Sequence, residues 1–108
     1  MAGFVWQSKN TDHIRGHAVA PVEAEYVVTH ARPPYPEYIG DAKYRVRGQT
    51  IDGRYLQVIY VFAIDAIDID WADVDLTRVD PDDKDLFYVV HAMELPDRDK
   101  RQYRRRRR

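Results

Sequence analysis

His91 closes an apolar run, Phe87-Tyr-Val-Val-His91, a few residues before a segment dense in arginine. An imidazole titrates near neutrality, so it can act as general acid or general base, and one that borders an arginine-rich surface suits cleavage of a phosphodiester. Arg45, Arg47 and Arg54 lie on or beside a predicted strand pair, where guanidinium groups can hold phosphate and stabilise the charge of a pentacovalent phosphorane. The plainer alternatives are a structural histidine and a solvated strand face.

Two further clusters carry chemistry-bearing types. His13 and His17 are four apart, which puts both rings on one face of a helix, and a third ligand would complete a zinc site. No Glu or Cys motif accompanies them, and His17 packed in the core against a backbone carbonyl explains the spacing equally. Asp68-x-Asp70-x-x-Asp73-x-Asp75 is rich in carboxylates but lacks the Gly and terminal Glu of a calcium loop. No metal and no cofactor are expected.

Charge is distributed unevenly. Residues 97–108 hold eight of the seventeen basic residues against two acids, a net of +6, whereas residues 65–85 hold nine Asp against Arg78 and Lys84, a net of −7, in a chain of net charge −1. The basic block suits a polyanionic partner, because each arginine that neutralises a phosphate releases a condensed counterion. Terminal runs of like charge are also commonly solvated tails. The acidic stretch either faces solvent or folds over the arginines as a polyanion mimic, and screening beyond roughly 10 Å favours solvation.

The elements that must position these groups follow from the punctuation. Phe4-Val5-Trp6 reads as a short strand. Ser8 caps a helix through His17, and Pro21, with Glu23 and Glu25 near the positive dipole end, opens a second helix to about His30. Pro33-Pro34-Tyr35-Pro36 makes residues 32–41 a loop. Lys43–Arg47 and Tyr55–Phe62 form a hairpin around Asp52-Gly53, Ile67–Trp71 alternates like an extended arm or extra strand, and Phe87–His91 is a further strand. After Pro96 the pattern is helical, with Asp97 and Asp99 at the start and cations at the end.

The 108 residues make one domain, with an acidic insertion at about 64–86 and an Arg-rich helix or tail at 97–108. No stretch approaches the roughly 20 apolar residues of a membrane span, and no basic region with an apolar run opens the chain. A cytosolic location is expected, and the absence of cysteine excludes disulfides and thiolate chemistry.

The order strand, two helices, antiparallel strands and basic helix carries Trp6, His13-Ile14-x-x-His17-x-Val19, Glu23-Ala24-Glu25, Gly53-Arg54-x-Leu56, His91-Ala92 and Arg98-Asp99-x-Arg101-x-Tyr103. In these short motifs, spread over nearly the whole chain, the protein resembles the BrnT family of toxins. The resemblance implies an α+β, RelE-like fold: a small antiparallel sheet with two N-terminal helices and a C-terminal basic helix. It also implies metal-independent endoribonuclease activity by attack of the RNA 2′-OH, and a BrnA-like ribbon-helix-helix antitoxin as partner. Arg54 matches the strand arginine of that family, Tyr103 the helix tyrosine, and Arg98 and Arg101 the helix arginines. His91-Ala92-Met93 stands where the family has Ser-Ala-Arg, Asp99 replaces a Glu, and residues 64–86 are much longer than the usual turn.

The expected catalytic set is therefore His91, Arg54, Arg101 and Tyr103, with Arg45, Arg47, Arg98, Lys100, Arg104 and Arg105 as nucleic-acid contacts. Self-association is compatible with this reading. The alternative is a protein of the same fold that binds nucleic acid or an acidic protein without catalysis, which Met93 in place of an arginine favours.

Overall fold

The computed structural model describes residues 3–79 and 85–106. Residues 80–84 of the acidic insertion and the last two arginines of the expected tail lie outside the described residues. The chain forms β1 (Gly3–Phe4), α1 (Ser8–Arg15), α2 (Pro21–Thr29), β2 (Glu37–Gly40), β3 (Lys43–Gln49), β4 (Tyr55–Phe62), β5 (Leu86–Glu94) and α3 (Asp97–Arg106), an α+β arrangement. The strands make one sheet in the order β1-β5-β4-β3-β2.

Pro21 occupies the first turn of α2, where its missing N–H costs nothing, and the Glu23 carboxylate accepts from the Ala20 N–H at 3.0 Å to close the helix start. Val27 of α2 packs over Gly48 of β3, the side of the sheet to which Val46, Leu56, Val58, Val89 and Ala92 also turn. Ile14 and Val19 complete this first core.

Three expectations are corrected. The sheet is mixed rather than antiparallel throughout, because β1 runs parallel to β5, with Gly3 opposite Leu86 and Phe4 opposite Phe87. This pairing covers part of an edge that β5 would otherwise expose. Residues 32–41 are not loop throughout: β2 pairs antiparallel with β3 through a tight turn in which Asp41 and Ala42 both take positive φ, 54° and 62°, as a two-residue hairpin requires. The segment Ile67–Trp71 forms no strand. Short 3-10 turns occupy Ala63–Asp65, Trp71–Asp73 and Leu76–Arg78, and the Asp70 and Asp75 carboxylates accept from the N–H groups of Ala72 and Thr77. Side chains that satisfy local donors in this way compete with a strand ladder.

The acidic segment is a structural arm on the opposite face of the sheet. Val74 joins Val5, Val61 and Tyr88 in a second buried cluster, flanked by Ala66 and Ile69. Gln7 fastens the arm: its Nε2 donates to the Tyr88 hydroxyl at 2.8 Å and to the Asp68 carbonyl at 3.1 Å, and its Oε1 accepts from the Asp70 N–H at 2.8 Å. Asp73 accepts from both the N–H and the hydroxyl of Ser8, capping α1, and Arg78 reaches Glu25 of α2 at 2.8 Å. Among the described residues, Arg98 and Lys100 of α3 pair instead with Asp99 and with Glu94 and Asp97, respectively. No helix among the described residues is long and apolar enough to cross a membrane.

Candidate active site

His91 owes its direction to a β-bulge. Ala92 lies opposite Val58 and His91 opposite Ile59, but Val89 lies opposite Tyr60, so Val90 is an extra residue in β5. The bulge lets Val90 and His91 project together on the second face, where Val90 packs into the second core and His91 remains half-buried. Across the sheet, Arg45, Ile59 and His91 stand in one row, and Arg47, Gln57 and Met93 in the next. Arg45 and His91 are thus two strand spacings apart, roughly 10 Å between backbones.

Helix α1 continues the edge of β5 beyond the short β1. Asn10, only 3% exposed, donates through Nδ2 to the carbonyls of Val5 and Val89, both at 3.1 Å, and its Oδ1 accepts from the Gln7 N–H. One turn later His13 meets His91, with Nε2 3.1 Å from Nδ1. His17 lies past the regular helix, which ends at Arg15, yet the chain stays wound. The N–H of Ala18 donates to the Arg15 carbonyl at 2.9 Å and that of Val19 to Ile14 at 3.1 Å, with Ala18 at φ 59°. This 5→2 and 6→1 pair is the Schellman closure, with Ile14 and Val19 making its apolar contact. It keeps His17 on the His13 side of α1, and the three rings meet with centroids 5.4, 5.3 and 4.9 Å apart.

Partial burial first, and then the charges of His17 and His13, hold the His91 imidazole below its ordinary pKa. The 3.1 Å contact needs one protonated and one bare nitrogen, the arrangement of a proton donor facing an acceptor. His13 also lines a cleft of about 380 Å³ whose floor is Val61, Tyr88 and Val90, and whose rim carries Lys9 and Lys43 together with Asp41, Asp65 and Asp68.

The other expected site residues are dispersed. Arg54 is held by the Glu23 carboxylate through two hydrogen bonds, at 3.0 and 2.9 Å, and approaches Glu94 at 3.9 Å. It thus sits with α2 on the side of the sheet away from His91. Tyr103 is 5% exposed and packs against Tyr35 and Tyr55 in the first core. Arg47, 9% exposed, donates to Gln57 at 2.9 Å and to Gln102 of α3 at 3.3 Å, so it anchors the helix to the sheet. Arg45 reaches Glu37 at 3.2 Å, and its Nε is buried without a hydrogen bond. Lys100 lies between Glu94 and Asp97, and Arg104 lies over the Tyr55 ring, donating to its hydroxyl at 3.2 Å. Arg98, Arg101 and Arg105 are exposed along α3.

Sequence reasoning placed His13 and His91 in separate arguments and left out Lys9 and Lys43. The helical spacing of His13 and His17 was a usable signal, whereas nothing in the residue types of β5 marks the bulge. No family model, curated protein or solved structure matches this chain.

Proposed function

We propose that the protein is an endoribonuclease of the BrnT-like, RelE-like toxin kind, with the histidine pair His13 and His91 as its acid–base couple. The observation that carries this reading is the 3.1 Å approach of His13 Nε2 to His91 Nδ1 on a sheet face whose same row bears Arg45. A neutral imidazole takes the proton of an RNA 2′-OH, O2′ attacks the adjacent phosphorus, and the P–O5′ bond breaks as the second imidazole protonates the departing oxygen. The products are a 2′,3′-cyclic phosphate and a free 5′-hydroxyl. The depressed pKa of His91 suits it to the base role at neutral pH, leaving His13 as the acid.

Substrate contacts fall to the exposed cations rather than to the buried ones. Lys43 on the cleft rim and Arg98, Arg101 and Arg105 of α3 are open to phosphate, whereas Arg47 and Arg54 are occupied by protein partners. On this reading the protein works in the cytoplasm, and its partner is a BrnA-like ribbon-helix-helix antitoxin that covers the histidine face.

The test is cleavage of single-stranded RNA by untagged protein in excess chelator, with the ends analysed for cyclic phosphate. His91→Gln and His13→Gln are each expected to lose about a hundredfold to ten-thousandfold in rate. Full activity in both variants removes the pair from the chemistry. Salt-dependent binding with no cleavage by the parent protein supports instead a non-catalytic nucleic-acid-binding protein, a reading that the capture of Arg54 by Glu23 favours.

A further inference from the structure

We propose that His13, His17 and His91 form a tripodal site for one zinc ion, with a fourth position open to water. Each residue offers one ring nitrogen, and these three atoms all lie within 4.8 Å of one another. One pair, His13 Nε2 and His91 Nδ1 at 3.1 Å, already has nearly the spacing of one edge of a zinc tetrahedron. Bonds of 2.0–2.1 Å at tetrahedral angles set that edge at about 3.3 Å. Bringing the third nitrogen from within 4.8 Å to the same spacing needs a movement of up to about 1.5 Å, within reach of an exposed imidazole such as His17.

The ring planes exclude a stacked arrangement. They meet at 74°, 53° and 72°, so the imidazoles do not lie face to face, and their ring nitrogens gather within 4.8 Å of one another. Two independent backbone devices hold the tripod: the Schellman closure that keeps His17 wound beneath His13, and the bulge that turns His91 toward α1. All three donors are imidazoles, a set that suits zinc, cobalt, nickel or copper and not magnesium or calcium, which prefer oxygen. Three protein ligands leave the fourth tetrahedral position free, as in zinc sites that bind water or substrate. Of the three, His13 also lines the neighbouring cleft.

The consequence for activity rests on the reading of His13 and His91 as the acid–base couple. A bound zinc ion occupies the lone pairs of both, so zinc switches that chemistry off and chelation restores it.

The two parts are tested separately. Untagged, chelator-treated protein is titrated with cobalt(II) while the visible absorption of a tetrahedral ion is followed, and zinc is then added to displace it. One equivalent of cobalt with intense visible bands, displaced by one equivalent of zinc, is expected. His17→Gln, which changes an exposed residue and keeps both His13 and His91, is expected to weaken zinc binding by at least about tenfold. No tetrahedral cobalt spectrum, or unchanged zinc affinity in His17→Gln and His91→Gln, overturns the site. Stoichiometric binding by a protein that cleaves no RNA leaves the metal site standing and removes the nuclease reading. Cleavage that one equivalent of bound zinc leaves unaltered overturns the switch.

Discussion

The amide of Asn10 donates to the carbonyl of Val89, the residue just before the bulge that turns His91 toward α1. One buried side chain therefore sets the distance between the helix that carries His13 and His17 and the strand that carries His91. Replacing Asn10 with Ala leaves the Val5 and Val89 carbonyls and the Gln7 N–H without this partner. Each unmet buried group costs about 1–3 kcal/mol when water cannot replace the lost bond. Denaturant melts of Asn10→Ala should show a loss of about 3 kcal/mol or more. A loss within about 0.5 kcal/mol, the range of ordinary surface changes, would show that α1 is held by its apolar face alone.

Ala18 sits at φ 59°, a left-handed conformation that costs an alanine about 1–2 kcal/mol and a glycine almost nothing. The closure of α1 needs that conformation because the Ala18 and Val19 N–H groups turn back to Arg15 and Ile14. Glycine also adds freedom to the unfolded chain, which offsets part of the gain. The net expectation for Ala18→Gly is a stabilisation of about 0.5–1 kcal/mol in urea unfolding. Destabilisation would contradict the left-handed closure.

Legibility differed between local and long-range features. The start of α2 was readable because Pro21 and Glu23 act within one turn, and β4 was readable because Tyr55–Phe62 is rich in the aromatic and β-branched residues that suit a strand packed on both faces. The parallel pairing of β1 with β5 was not, since it joins the two ends of the sequence and depends on which edge is left uncovered. Residues 67–71 alternate as a strand does, but Asp70 and Asp75 close local turns and Gln7 takes up the Asp68 carbonyl and the Asp70 N–H. Tyr103 was picked out by motif, whereas its apolar ring is spent on Tyr35 and Tyr55. The histidine cluster combines both kinds of information: an i, i+4 pair that spacing reveals, and a third member brought in by a bulge.

The depressed pKa of His91 makes a pH prediction for the metal-free protein. The groups beside its ring are His13 and His17 of α1, with Arg45 in the same row of the sheet. Because the folded-state value lies below the unfolded one, the unfolded chain binds more protons between the two. Stability is therefore full above the ordinary histidine value near 6.5 and falls as pH drops below it toward the folded value. Proton NMR in chelator should show His91 titrating below an ordinary imidazole. In the His13→Gln, His17→Gln double variant the midpoint should rise only part of the way, since burial is the larger cause and remains. A midpoint unmoved by the double variant would leave burial as the sole cause.

Arg101 and Tyr103 are two residues apart on α3 and should fail in different ways. Arg101 is exposed, so Arg101→Ala should keep the melting temperature while weakening RNA binding. The slope of log affinity against log salt should fall by roughly 0.7, the value of one phosphate contact on a single strand. Tyr103 is buried between Tyr35 and Tyr55, so Tyr103→Ala should cost about 3–5 kcal/mol of stability, as large aromatic truncations in cores do. Tyr103→Phe keeps the ring and should retain most of that stability. Fluorescence anisotropy across several salt concentrations, paired with thermal melts of the same samples, separates the two effects. An Arg101→Ala protein with unchanged salt dependence would take α3 out of the nucleic-acid surface. A folded Tyr103→Ala protein with normal stability would show that the tyrosine contributes little to the core, and its side chain would then have to be considered at the surface.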